Sequence, residues 1–258
     1  IWLMNYNRDE ILTYEDRLVS YPEFIDKDLI HFSNDDLERS IPSIMDGLKP
    51  SQRKILYGSF LRNLDKDEVK VAQLAGFVSD KAAYHHGEAS LTGAIIGMAQ
   101  DFVGSNNINI LKPNGQFGTR LKSGGKDAAS PRYIWTELSK LTPLIFRVAD
   151  NPILKQQDDD GMPIEPETYA PIIPMILING TKGIGTGFST SIPPYNPIDV
   201  INNIYNLLRG DKIKNIKPYW NKFKGKVKKI DKHNFETSGI FTKNGDTLTI
   251  TELPVGEW

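Results

Sequence analysis

A tyrosine, an arginine and a glycine-rich lysine loop share one short run, Gly124-Gly125-Lys126-Asp127-Ala128-Ala129-Ser130-Pro131-Arg132-Tyr133. A phenol can attack a phosphodiester and later be expelled from it, because its pKa of about 10 lies below that of a sugar hydroxyl. The bond so formed keeps the energy of the broken linkage, and resealing needs no fuel. Arg132 would present a planar fork of donors to the phosphoryl oxygens as charge builds in the transition state. A lone tyrosine is more often a packing residue with its hydroxyl in water; neighbours suited to phosphate weigh against that here. A second constellation is Tyr84-His85-His86-Gly87. His86 sits just before an expected helix start, where orphan amides and the positive dipole end favour phosphate. A capping or structural histidine reads equally well. A third feature is Ile184 between Gly183 and Gly185. An isoleucine in a polar loop either folds back into the core or is offered to another surface, which flanking glycines allow to approach closely.

These residues belong to a chain of 258 residues with net charge −1, 39% hydrophobic and 24% charged. That balance suits an ordinary globular protein of one large domain or two smaller ones. No apolar run is long enough to span a bilayer, so no membrane role is expected. Cysteine is absent, which excludes disulfides, thiolate metal sites and a cysteine nucleophile. The chain opens on Ile1 with no signal segment and reads as a piece of a longer protein. Its charge is unevenly spread. Lys112, Arg120, Lys122, Lys126 and Arg132 face only Asp127 between 112 and 132, and nine lysines face only Asp231 between 212 and 232. Basic stretches inside a neutral protein suit docking to phosphates along a track, although the second stretch alone reads equally as solvated surface.

The elements that would position these groups form a mixed α+β fold. Residues 1–30 read as a connecting arm, and Asn34-Asp35-Asp36-Leu37-Glu38 as the capped start of a short helix ending before Pro42. Apolar spacing predicts helices over Ser51–Asn63, about Val69–Lys81 and about Gly87–Phe102. The last two, joined by a tight connection, form a helix-turn-helix. Asn109–Leu111 and Gln116–Arg120, around Pro113-Asn114-Gly115, read as a hairpin. A helix-turn-helix followed by a hairpin is the order of a winged helix. A helix is expected to restart near Tyr133, with Ile134, Leu138 and Leu141 on one side. Pro171 to Gly180 reads as a buried strand, and Asn196-Pro197 caps a helix running to Leu208 and stopped by Gly210. Strands over Val227–Ile230, Ser238–Thr242 and Thr247–Ile250 suggest a second, mixed domain. Asp158-Asp159-Asp160 reads as a solvated loop rather than a metal site. Gly183–Gly187 lacks the following helix and the lysine of a phosphate loop.

Beyond these patterns, the run Ile41 to Lys54 (Ile-Pro-Ser-Ile-Met-Asp-Gly-Leu-Lys-Pro-Ser-Gln-Arg-Lys) resembles a motif of type IIA DNA topoisomerase breakage domains. Tyr84 to Glu88 resembles the histidine motif of the family's eukaryotic and large-virus branch. Gly104-Ser105-Asn106-Asn107, Gln116 to Arg120, Gly124 to Tyr133, Ile178-Asn179-Gly180, Gly183 to Gly187 and Ile192-Pro193-Pro194 follow in the family's order. The resemblance runs from about Phe24 to Trp258. It implies a winged-helix domain over 31–155, after the arm of 1–30, and the first part of a tower domain over 156–258. It implies that Tyr133 is the nucleophile of a 5′-phosphotyrosyl bond, Arg132 its stabiliser and His86 a contact near the scissile phosphate. Arg39, Lys49, Arg53, Tyr84, His85, Lys122 and Lys126 would touch DNA, and Ile184 would wedge between base pairs. The working unit would be a homodimer on double-stranded DNA. Mg²⁺ and ATP would be bound by upstream TOPRIM and ATPase domains and not by this chain, which carries no Asp-x-Asp cluster of that kind and is expected to be inactive alone. The nucleus, or a viral replication site, would be its location. The rivals are a winged-helix DNA-binding module without chemistry, and a nucleotide-binding enzyme using Gly183–Gly187.

Overall fold

The computed structural model describes residues 2–13, 18–122, 124–232 and 234–258. Residues 14–17 of the arm and Ser123 of the glycine-rich loop lie outside the described residues. Helix begins well before the expected Asn34 start. Ser20 and Glu23 cap each other, the Ser20 side chain accepting from the Glu23 N–H while the Glu23 carboxylate accepts the Ser20 N–H at 3.1 Å. This reciprocal pair satisfies two orphan donors. From it run α1 (Tyr21–Phe24), a π-wound stretch Ile25–Leu29 and α2 (Ile30–Ser40). Pro22 lies in the first turn, where its missing N–H costs nothing, and does not break the helix. The end does come before Pro42, with Ile41 extended.

Next come α3 (Pro50–Leu61), β1 (Val69–Lys70), α4 (Val71–Lys81), α5 (Glu88–Ala99), β2 (Leu111–Asn114) and β3 (Trp135–Leu138). The three strands form one sheet in the order β1-β3-β2, both pairings antiparallel. This is a winged helix, but its wing differs from the expected hairpin. β2 pairs with β3, Leu111 opposite Leu138 and Asn114 opposite Trp135, so that Gln116–Arg120 belongs to a long loop between them. Pro113 is accommodated because β2 is an edge strand. Gly115, at φ 123°, lets the wing leave the sheet where a Cβ would press on Ile134 at 3.0 Å. The helix expected near Tyr133 is β3 instead. Ile134, Thr136 and Leu138 are buried and Trp135 is exposed, a period of two. Ile134, Leu138 and Leu141 fit helical spacing equally well, which is why the pattern misleads.

The chain continues through α6 (Thr142–Ile145), a 3-10 turn Val148–Ile153, the hairpin β4 (Gln156–Asp159) with β5 (Met162–Pro166), and α7 (Met175–Ile178). The buried strand expected over Pro171–Gly180 is therefore one helical turn, a confusion inherent in short apolar runs. A second hairpin, β6 (Thr181–Gly185) with β7 (Phe188–Ile192), precedes α8 (Pro197–Arg209). Asn196 caps α8 by accepting the Ile198 N–H at 2.9 Å, and Gly210 closes it at φ 77°. Finally β8 (Lys226–Lys229) pairs with β9 (Phe235–Ser238), and β10 (Ile240–Asn244) with β11 (Thr247–Glu252). One hydrophobic cluster extends from Leu48 to Val200, uniting Ile55, Leu91 and Leu111 with Tyr169, Met175 and Ile178. Packing is thus continuous across residue 155. Beyond it, the strands β8 to β11 bury a single side chain, Glu252.

Candidate functional site

Tyr133 lies where the wing returns to β3. The first amides of a helix have no partner within it, and α4 uses two of them on this segment. Val71 N–H donates to Ile134 O at 3.0 Å and Ala72 N–H to Pro131 O at 3.1 Å. Tyr133 N–H closes a turn onto Ser130 O at 2.9 Å. The backbone is thereby held on both flanks while the Tyr133 side chain stays 71% exposed. Arg132 is exposed too, its guanidinium carbon 5.6 Å from the centre of the Tyr133 ring and its Nε 3.4 Å from Ser130 Oγ.

The wing's two limbs are fastened to each other. Ala129 N–H donates to Gln116 O at 2.8 Å, and Asp127 accepts Thr119 N–H at 2.7 Å and Thr119 Oγ1 at 2.6 Å. The Thr119 hydroxyl, then its amide, hold the Asp127 carboxyl below the usual carboxylate range against the opposing effect of burial. Gln100 reaches over from the end of α5 to donate to Phe117 O at 2.8 Å. Lys122 and Lys126 stand exposed on the loop without an ion pair among the described residues, whereas Lys112 pairs with Glu137 and Arg120 with Glu252.

The histidine turn is positioned by Lys54. Its Nζ donates to Ala82 O at 2.5 Å and lies 2.9 Å from the buried Glu165, holding the end of α4 just before Tyr84. His86 is exposed and adjoins Gly87, the N-cap of α5. Tyr84 is largely buried and meets His86 edge-on at 5.3 Å. His85 is exposed, 3.4 Å from Asp159. Arg39, loosely paired with Asp36 at 3.4 Å, joins Tyr84, His85 and His86 around a cleft of about 690 Å³. Lys49 occupies the N-cap position of α3, its N–H donating to Gln52 Oε1 at 2.9 Å, on the border of another cleft beside Thr181 and Lys182.

Arg53 must be reassigned. It is 5% exposed, and its guanidinium grips Asp46 at 2.8 and 3.0 Å and Leu48 O at 3.0 Å. Asp46 also accepts the Tyr169 and Leu48 N–H groups, each at 2.9 Å. Arg53 therefore braces the turn ahead of α3 from inside, with its Nε and Nη2 donors engaged within the fold. Its charge is buried against the Asp46 carboxylate.

Ile184 does not fold back. In β6, side chains alternate between faces, and Gly183 and Gly185 face α2 so closely that a Cβ would come within 2.4 Å of Ser40 O and 2.7 Å of Leu37. Asp36 secures the hairpin by accepting Thr186 N–H at 2.8 Å. Ile184, between them, points away and is 83% exposed. The same geometry removes the nucleotide-loop rival, because Gly183–Gly187 is a hairpin followed by strand rather than helix.

Sequence reasoning passed over several residues that hold this arrangement. Asn107 donates to Ile178 O, Tyr195 O and Tyr219 O at 2.9–3.1 Å and accepts Asn221 N–H, and Asn179 exchanges hydrogen bonds with Ile108 in both directions. Both lie in runs singled out by resemblance. The signal that could have separated them is the cost of burying an amide, which demands several partners at once.

A winged helix carrying an exposed tyrosine–arginine pair on a turn pinned from both sides defines the class of protein. A family model for the A subunit of DNA gyrase/topoisomerase IV matches residues 39–258. The chain is 50% identical over its whole length to DNA topoisomerase 2 of Plasmodium falciparum, covering 18% of that protein. It is 51% identical to that of Acanthamoeba polyphaga mimivirus, covering all of this chain and 20% of the relative. It is 50% identical to that of Saccharomyces cerevisiae, again over the whole chain and 18% of the relative. A crystal structure of the Plasmodium falciparum topoisomerase II DNA-binding, cleavage and re-ligation domain superposes with a TM-score of 0.90 at 50% identity, over 100% of this chain and 35% of that one. The chain belongs to this topoisomerase family, on its eukaryotic and viral topoisomerase II branch. It spans about a fifth of the length of these curated relatives.

Proposed function

We propose that this chain is the strand-cutting part of a type II DNA topoisomerase and that Tyr133 is its nucleophile. The observation that carries this reading is the exposed Tyr133 phenol on a backbone fixed at Pro131 and Ile134, with the Arg132 guanidinium beside it. The phenolic oxygen attacks phosphorus in the DNA backbone. The P–O bond to the 3′ oxygen breaks, that oxygen takes up a proton, the phenol gives one up, and a 5′-phosphotyrosyl bond remains. Resealing is the same step reversed. Arg132 holds the phosphoryl oxygens as they gain charge. His86, beside the N-terminus of α5, contacts a backbone phosphate nearby. Tyr84 and His85 border the same cleft, with Arg39 across it. Lys49, Lys122 and Lys126 extend the track, and Ile184 enters the base stack, unstacking a step to bend the duplex.

Among the described residues no three His, Cys, Asp or Glu side chains gather as a metal site. Neither Mg²⁺ nor ATP is given a site on this chain. In this reading both are bound by TOPRIM and ATPase domains elsewhere in the full-length protein, which works as a homodimer in the nucleus or at a viral replication site. No helix among the described residues is long and apolar enough to cross a membrane.

The test is a covalent adduct. The full-length protein incubated with duplex DNA and Mg²⁺ should yield a protein–DNA complex that survives denaturant, and Tyr133→Phe should abolish it while leaving folding and DNA affinity intact. An adduct of normal yield in the variant would reduce Tyr133 to a surface residue. Absence of any adduct in the wild type would favour a DNA-binding module without chemistry.

A further inference from the structure

The wing is gripped from outside by a distant part of the chain. Arg120, on its outer limb, forms an ion pair with Glu252 at the end of β11, and its Nη2 donates to Leu253 O at 2.7 Å and Pro254 O at 2.9 Å. The second oxygen of Glu252 accepts the Lys224 N–H at 3.2 Å. A carboxylate withdrawn from water must have its charge and lone pairs met, and Glu252 meets them by joining one wing arginine to one loop amide. The grip is repeated a few residues on. The Trp258 indole covers Gly124 so tightly that a Cβ there would meet it at 2.8 Å, and it packs edge-on against Phe102 at 6.1 Å.

From Arg120 the connection to the reacting group is short. Arg120 adjoins Thr119, which Asp127 holds through two hydrogen bonds. Ala129, two residues further, is bonded to Gln116, and Ser130 closes the turn onto Tyr133. Both limbs of the wing are therefore linked to the contact with Glu252, beside their hold on Gln100 and α4. The other wing cations, Lys122 and Lys126, have no ion pair among the described residues, so this one basic residue is withdrawn from solvent for a structural purpose.

We infer that Glu252 is a positioning residue for strand cutting: through Arg120 it sets the wing, and with it the turn that presents Tyr133. This rests on Tyr133 being the nucleophile. The experiment compares Glu252→Gln, Glu252→Ala and the swap Arg120→Glu/Glu252→Arg in the full-length protein. It measures the rate of adduct formation at saturating duplex, the duplex Kd and thermal unfolding. Amide hydrogen exchange at Thr119, Ala129 and Tyr133 is followed on the chain itself. Glu252→Ala should slow adduct formation by about ten- to a hundredfold, the scale of a small misplacement of a reacting group. Its Kd should stay near wild type, its unfolding temperature should fall without populating unfolded protein at the assay temperature, and those three amides should lose protection. Glu252→Gln should lie between, and the swap should recover most of the rate. A wild-type rate in Glu252→Ala overturns the inference. So does a rate loss matched by equal losses in Kd or folded fraction, or faster exchange spread evenly over the molecule. The two readings fail separately. If Tyr133→Phe still forms the adduct, the nucleophile assignment falls, and local exchange alone decides whether Glu252 sets the wing.

Discussion

Two arginines of this chain show opposite uses of the same side chain. Arg53, under α3, is closed on Asp46 and Leu48 O and almost without solvent contact. Arg132, on the wing, is exposed and touches Ser130 Oγ and the face of Tyr133. The tyrosines divide likewise. Tyr169 is 5% exposed, and burial, then the nearby Glu165 carboxylate, push its phenol far above the ordinary range, while Tyr133 faces water. The base beneath the wing thus spends its charges on holding, through Asp46–Arg53 and Lys54–Glu165, and on the surface above Arg132, Lys122 and Lys126 stay exposed. A charge meant for a ligand has to remain unpaired until the ligand arrives. One meant for the fold has to be paired before it can be buried.

This contrast can be broken by exchanging what is lost. Arg53→Ala leaves Asp46 buried without its partner and should cost about 3–5 kcal/mol of stability. Thermal or denaturant unfolding of the chain would show it, and a surface-like loss under about 1 kcal/mol would contradict the assignment. Arg132→Ala should leave unfolding unchanged and slow adduct formation in the full-length protein by about a hundredfold or more. Cutting at the wild-type rate would make Arg132 an ordinary surface charge. Ile184→Ala, on the exposed face of β6, should reduce DNA bending and cutting together, removing a wedge whose insertion costs a few kcal/mol. Energy transfer across a labelled duplex reads the bend, and an unchanged bend would remove the wedge. The smallest effects belong to single lysines. Lys122→Ala and Lys126→Ala should each lower the salt dependence of duplex binding by about one unit of slope. If Arg53 serves the fold alone, a conservative Arg53→Lys that still folds should leave that slope alone.

The order of helices and the winged helix were legible because apolar spacing at α3, α4 and α5 is strong and caps such as Asn196 and Gly210 carry a local mechanism. Partner choice across a sheet was not. Leu111–Asn114 has a nearby turn signal at Asn114-Gly115, yet it pairs with Trp135–Leu138, and only the intervening wing, closed by Asp127 on Thr119, makes that possible. The Ser20–Glu23 capping box was present in the sequence, but residues 1–30 show no strong apolar period around it, and Pro22 is a first-turn residue of the helix it opens. At the candidate site, residue types suggested phosphate chemistry at Tyr133 and Arg132, and the structure leaves both side chains exposed. They did not reveal that Arg53, in an equally basic motif, is turned inward onto Asp46 seven residues before it, because that pair is closed over by Tyr169 arriving from elsewhere in the chain. For Ile184 the alternation was readable in principle, since two glycines on one face of a strand leave the residue between them on the other.

The most direct test of the central claim is to map the residue joined to DNA. The adduct formed by the full-length protein with Mg²⁺ would be trapped in denaturant and digested with protease and nuclease, and the nucleotide-bearing peptide sequenced by mass spectrometry. The account predicts a 5′-phosphoryl nucleotide on the tyrosine of Ser130-Pro131-Arg132-Tyr133 and on no other residue. A nucleotide on another side chain, or linkage through a 3′ phosphate, would contradict it.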